Sequence, residues 1–224
     1  MVMAAAITRS RSPGLTPRGG ARTTRERAVA AAGRILRCDG YARLTMERVA
    51  AESGVAKTTL YRRWPTKAAL CMDLYLAVAQ RELRDPDTGE VGRDLKAIAA
   101  TVVRLQTGTV AGPALIGLIA ETHLNPDTRA AYLAEFADRR RAVTRLVLRR
   151  AIARGELRPD TDVDLVIDAI GGAVTFRLLQ RHAPLSTAFT NALVDLVLHG
   201  CRATPVGGTA ARRRASRSSP RSRT

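Results

Sequence analysis

Aromatic side chains are scarce in this chain of 224 residues, which holds one Trp, four Tyr and three Phe. Strands draw on aromatic and β-branched residues, so the scarcity argues against a β-sandwich, while abundant Ala and Leu favour closely packed helices. Cysteine is rare too. Cys38, Cys71 and Cys201 lie far apart, and no C-x-x-C pair or His/Cys cluster has metal-ligand spacing. They read as small buried residues of a reducing compartment, so a cytoplasmic protein is expected. No apolar run approaches the roughly 20 residues of a membrane helix, and Ala4-Ala5-Ala6-Ile7 is too short for a signal-peptide core. Sequence signatures of nucleotide, hydrolase and metalloprotease sites are missing as well. Glu121-Thr122-His123 followed by Asp127 comes nearest to a catalytic constellation, but these residues fall at a helix end and the next helix start, where capping accounts for them. No catalytic residue, metal or cofactor is expected, and the chain does not read as an enzyme.

Acidic residues are outnumbered, 20 against 37 Lys and Arg, leaving a formal net charge of +17. That excess points to a polyanionic partner, nucleic acid before membrane. Much of it sits in two terminal segments: Arg9, Arg11, Arg18 and Arg22 in front, and Arg212, Arg213, Arg214, Arg217, Arg221 and Arg223 behind. Residues 1–22 and 203–224, rich in Arg, Ser, Pro and Gly, read as a disordered basic arm and tail. The arm is either a solvated tail or an extra contact to DNA. Total charge therefore says less than the placement of a few cations.

The stretch from Leu44 to Pro65 supplies that placement. Thr45 is suited to cap a short helix, with Glu47 in its first turn, where a negative charge complements the helix dipole. Val49 and Ala50 form its inner side, and Gly54 permits a sharp turn into a second helix. That second helix, Ala56 to Arg63, is anchored by Val55 and Leu60 and ends before Pro65. Its outward residues are Lys57, Thr58, Thr59, Tyr61, Arg62 and Arg63, types that bond phosphates and base edges without an acid to repel them. The pattern is a helix-turn-helix, with Ala56–Arg63 as recognition helix. Lys57 is expected either on a phosphate or on a guanine edge.

The run from Leu44 to Leu70 resembles the DNA-binding domain of the TetR family of bacterial transcriptional regulators. The resemblance rests on Leu44-Thr45-Met46, Val49-Ala50, Ser53-Gly54-Val55, Thr59-Leu60-Tyr61 and Trp64-Pro65-Thr66-Lys67. Ala56 departs from it, since the family often has a Ser or Thr cap there.

Around this stretch the chain reads as helices throughout. A first helix opens at Thr23 or Thr24 and buries Ala28, Ala32, Ile35 and Leu36 before Asp39-Gly40 ends it. A fourth runs from Pro65 to about Leu83, with Lys67 near enough to reach a phosphate. Residues 23–84 thus form the expected head, and Asp85–Gly89 the boundary. From residue 92 to 202 five further helices follow: Leu95 to Gln106, Ala114 to Thr122, a long one from Asn125-Pro126 to Gly155, then Asp162 to Arg181 and Thr187 to Cys201. The arginines of the long helix, Arg139 to Arg150, read as a solvated face. Each of the last two helices carries two apolar stripes, more than one domain of this size covers, which suggests a partner subunit.

The resemblance extends to the regulatory half, whose last two helices in the family form a four-helix dimer interface. It implies a homodimer, with Val166, Ile170, Val174, Val194, Val197 and Leu198 as expected interface residues. It also implies a small-molecule effector pocket, for which Leu105, Leu118, His123, Phe136, Thr175, Phe176 and Arg177 are candidate walls. Phe136 and Phe176 are read as core or pocket wall, and His123 and Arg177 as ligand-orienting or turned to water. The expected protein is all-α and two-domain, a repressor that binds an inverted-repeat operator in double-stranded DNA through Thr45, the recognition helix and Lys67. The alternative is a charge-driven DNA-organising protein without an effector.

Overall fold

The computed structural model describes residues 23–202; the expected basic arm and tail lie outside them. Among the described residues the regular elements are all helical, with one isolated antiparallel bridge between Leu157 and Arg202. Helix α1, Thr24–Asp39, opens on a capping box in which the Thr23 hydroxyl accepts from the Glu26 amide and Glu26 accepts from the Thr23 amide. A 3-10 turn, Tyr41–Arg43, leads to α2, Met46–Ser53, which the Thr45 hydroxyl caps through the Arg48 amide at 3.2 Å. Gly54, at φ 64°, turns the chain into α3, Lys57–Arg63. Glycine adopts that left-handed geometry without the strain that a Cβ brings.

Helix α4 spans Lys67–Glu82. It starts later than expected because Thr66, accepting from the Ala69 amide at 3.1 Å, is its cap and Pro65 stays outside. Helix α5, Val91–Gly108, and α6, Ala111–Leu124, are each longer than the apolar periodicity predicts. Asn125 caps α7, Pro126–Ala131, which runs through a π turn, Tyr132–Ala137, into α8, Asp138–Ala153. The widened turn draws Phe136 fully inside, between the rings of Tyr75 and Tyr132 at centroid distances of 5.1 and 5.0 Å. Helices α9, Val163–Gln180, and α10, Thr187–Cys201, complete the fold.

Two apolar cores organise these helices. The first joins α1, α2, α3 and α4 to the end of α5, to α6 and to Phe136. The second joins the start of α5 to α8, α9 and α10. The first core therefore crosses the Asp85–Gly89 segment, because α6 packs along α4. Asp85 and Asp87 of that segment are pinned by Arg150 of α8, with Asp85 accepting at 2.6 and 2.9 Å.

Two expectations are corrected here. Val166, Val174, Val194 and Leu198, expected at a subunit interface, are buried within the protomer, and Ile170 and Val197 pack beside them. The second stripe of α9, with Leu165 65% and Phe176 57% exposed, faces outward instead, as does Leu196 of α10 at 72%. The reason is that α9 and α10 use the valine-rich stripe against α5 and α8. The arginines of α8 are a solvated face only in part: Arg139 and Arg149 are exposed, but Arg145 pairs with Asp164 at 2.8 Å, Arg150 pairs with Asp85, and Arg140 and Arg141, with Arg139, line a cavity.

Candidate DNA-binding helix and effector cavity

Leu60 is fully buried and Val55 nearly so, which fixes the rotation of α3 about its axis. Lys57, Thr58, Tyr61, Arg62 and Arg63 are consequently exposed and Thr59 half-buried. Lys57, Arg62 and Arg63 have no ion-pair partner among the described residues, whereas the neighbouring cations are engaged. Arg48 pairs with Asp39 and Glu52, and Arg34 with Glu52. The head therefore presents three cations without an ion-pair partner together on α3, where a phosphate backbone would find them.

Two arginines of α1 hold this helix in place, and neither was singled out from the sequence. Arg25 grips Asp73 of α4 with its Nε 2.9 Å and its Nη2 2.5 Å from the carboxylate, and Asp73 also accepts from the Trp64 indole at 3.1 Å. Trp64 follows α3 directly, so the pair anchors its C-terminal end. Burial alone would raise the Asp73 pKa. The hydrogen bonds and charge of Arg25, with the indole, more than offset that and hold it below the usual carboxylate range. Arg27 donates to the Ser53 carbonyl at 2.7 and 3.0 Å and to the Gly54 carbonyl at 3.0 Å, satisfying the orphan acceptors at the end of α2. A buried indole demands a partner for its N–H, which was the one available sequence signal. Nothing local marks Arg25 or Arg27.

Ala56 precedes α3 without a side-chain cap. Tyr61 donates its hydroxyl to Glu47 of α2 at 2.9 Å, so its free end is held by the head itself. Its own backbone amide, and then the Tyr61 hydroxyl, hold Glu47 below the usual range. Thr45, exposed, is used as a cap. Lys67 is placed differently from the rest: half-buried, it lies 3.8 Å from Glu121 of α6 and 4.5 Å from the centre of the Tyr41 ring.

That contact belongs to a junction between head and regulatory half. The Tyr41 ring lies directly on Gly117 of α6, where a Cβ would overlap it, and its hydroxyl donates to Glu121 at 2.5 Å. Burial, then this hydrogen bond, pushes the Tyr41 pKa well above its ordinary value. Cys71 beside it is buried, and desolvation pushes its thiol up to about 12, so it remains protonated.

The candidate pocket residues are not brought together. Leu105, Leu118 and Phe136 are fully buried core. His123 is exposed at the end of α6, and Phe176 lies on the outer stripe of α9, against His182. Thr175 is half-buried, and neither described cavity includes it. Arg177 donates to the Pro184 carbonyl at 2.8 Å and stacks 3.5 Å over Phe189, at the edge of an open cleft of about 1000 Å³ beside α6. A more enclosed cavity of about 310 Å³ lies instead between α4, α5, α8 and α9. Tyr75, Leu76 and Leu83 of α4, Ile98 and Val102 of α5, and Ile170 and Val174 of α9 supply apolar wall, and Gln106 with Arg139–Arg141 the polar part. Among the described residues no single helix is long and apolar enough to cross a membrane.

Comparison with known proteins agrees with this geometry over most of the chain. Residues 28–73 match the family described as bacterial regulatory proteins, tetR family, and residues 85–197 match the tetracyclin repressor-like C-terminal domain. An uncharacterized HTH-type transcriptional regulator of Bacillus subtilis, YdeS, is 30% identical over 81% of this chain and 91% of its own length. The DNA-binding transcriptional repressor TetR of Mycobacteroides abscessus is 35% identical over 76% of this chain and 89% of its own. Among solved structures, the TetR family transcription regulator SCO0332 superposes with a TM-score of 0.69 at 41% identity, covering 79% of this chain and 97% of that one. The chain belongs to the TetR family and is a DNA-binding transcriptional regulator with an N-terminal helix-turn-helix head and a C-terminal helical domain.

Proposed function

We propose that the protein is a cytoplasmic repressor that binds an inverted-repeat operator as a homodimer and is released when a small molecule enters the cavity between α4, α5, α8 and α9. The observation that carries this reading is the double use of α4. Its first half, through Leu70, Asp73 and Leu74, packs and pins the head, while Tyr75, Leu76, Ala79 and Leu83 wall the cavity. A ligand that favours a different tilt of α4 changes the set of the reading heads. The direction, repression, is supported by the Mycobacteroides relative, which is named a repressor.

The outward stripe Leu165, Ala169, Gly172, Phe176 and Leu179 of α9, with Leu196 of α10, is the face we assign to the partner subunit. Two-fold pairing there would present two α3 helices to successive major grooves, about 34 Å apart. The test is a footprint of the purified protein on DNA upstream of its own gene, repeated with rising salt and unrelated competitor DNA. A protected inverted repeat that survives competition supports the reading. Equal binding to all DNA would sink it in favour of a charge-driven DNA-organising protein.

A further inference from the structure

The cavity between α4, α5, α8 and α9 has a lopsided wall. Three arginines line it and no acidic residue does. Arg141 is compensated in charge, its Nη2 lying 2.8 Å from Asp168 and 3.4 Å from Asp164, although its Nε is buried without a hydrogen bond. Arg140 is not: it has no ion-pair partner among the described residues, and its Nε is buried without a hydrogen bond. Elsewhere on this wall Gln106 is 4% exposed, and its amide oxygen is equally without a partner. Buried polar groups are ordinarily paired, so the unpaired Nε–H donors of Arg140 and Arg141 on one small cavity mark groups that an anionic acceptor completes. The rest of the surface is aliphatic, and Gly171 leaves room, since a Cβ there would meet nothing within 4 Å.

We propose that this cavity binds an apolar monocarboxylate, with its carboxylate on the Arg140 guanidinium and its hydrocarbon body between α4 and α5. The planar guanidinium fork matches a carboxylate in geometry as well as charge. A volume of about 310 Å³ is at the small end of ligand cavities, which suits a short chain or a single ring system rather than a bulky drug. This ligand class rests on the reading that the cavity is the effector site.

Calorimetric titration of the full-length protein with decanoate, and with decan-1-ol as a neutral match, tests it. Decanoate should bind and decan-1-ol should bind at least about 10-fold more weakly, because a charge-assisted hydrogen bond is lost. Arg140→Gln should weaken decanoate by about 10- to 150-fold without moving decan-1-ol, and Arg140→Lys should restore part of the difference. Gly171→Leu, which fills the cavity from a helix that gains propensity, should abolish both. Equal binding of acid and alcohol, or a response indifferent to Arg140→Gln, overturns the proposal and leaves the effector site standing. Failure of both probes to bind the wild-type protein overturns it as well. Decanoate that binds with the expected Arg140 dependence but leaves operator affinity unchanged sustains the ligand class and defeats the effector reading instead.

Discussion

Lys57, Arg62 and Arg63 stand together on the exposed side of α3 without an ion-pair partner among the described residues. Replacing Lys57 with Ala should leave the melting curve unchanged and weaken operator binding. If the side chain meets a phosphate, the slope of log affinity against log salt should fall by about 0.9; if it reads a base, preference at one position should relax by roughly 1–3 kcal/mol. Fluorescence anisotropy against salt and against a panel of single-base variants separates the two, and full-strength specific binding would exclude α3 as the reading element. Asp73 acts from behind. It holds Arg25 and the Trp64 indole together, so Asp73→Asn should cost about 1–2 kcal/mol, a figure already discounted for the partial solvent screening of Arg25. Its folded pKa lies below the unfolded one. The carboxylate thus adds stability above the unfolded value of about 3.9, and that increment disappears as pH falls through the lower, folded value. Denaturation of wild type and variant should therefore differ fully above about pH 5 and converge at strongly acidic pH; a gap that persists in acid would mean the carboxylate charge is not what matters.

Among the elements, α3 starts without a side-chain cap and α6 packs directly on the head. Ala56 has extended backbone angles and no capping side chain, so Ala56→Ser should stabilise the protein by about 0.5–1 kcal/mol. Chemical denaturation would register the change in midpoint, and a destabilised variant would show that the site cannot accept the cap. Helix α6 meets the 3-10 turn where Tyr41 lies on Gly117. Gly117→Ala puts a methyl group where the ring is, and should cost roughly 1–3 kcal/mol through overpacking despite the better helix propensity of Ala. Tyr41→Phe keeps the ring and removes only the hydrogen bond to Glu121, so a smaller loss of about 1.5 kcal/mol is expected. Because Lys67 leans on both partners, operator affinity in these two variants reports whether the junction communicates with the head. Thermal melts and anisotropy on the same preparations supply both readings.

At the scale of the whole molecule, the two stripes of α9 and α10 behave differently on substitution. Val194 is buried at 1% exposure, so Val194→Asp should unfold the domain. Phe176→Glu and Leu196→Asp alter exposed positions and should yield folded, soluble monomers. Large side chains left uncovered contribute about 1.5–3 kcal/mol each when a partner buries them. Analytical ultracentrifugation beside circular dichroism decides the matter: a folded dimer in the Phe176→Glu, Leu196→Asp double variant would remove this face from the interface. The cavity belongs to this scale too, since it forms where α4, α5, α8 and α9 converge and on no single helix.

Much of the fold was legible in local sequence. Thr45, Gly54, Leu60 and the Trp64-Pro65 pair delimit the helix-turn-helix because caps, left-handed turns and apolar anchors act within a few residues of themselves. The outward set on α3 follows from the same periodicity once Leu60 is inside. Packing decided the rest. Sequence shows two apolar stripes on α9 without saying which one α5 and α8 cover, and it cannot weigh Arg140 against Arg141 when their difference is whether Asp164 and Asp168 come within reach. Lys67 reads as a phosphate contact, and its second neighbour, Glu121, 54 residues on, is brought beside it only by packing. Hydrophobic periodicity and capping are local properties of the chain and were determined by it directly; the pairing of charges, the choice of buried stripe and the position of the cavity depend on separations that exist only after the helices have packed.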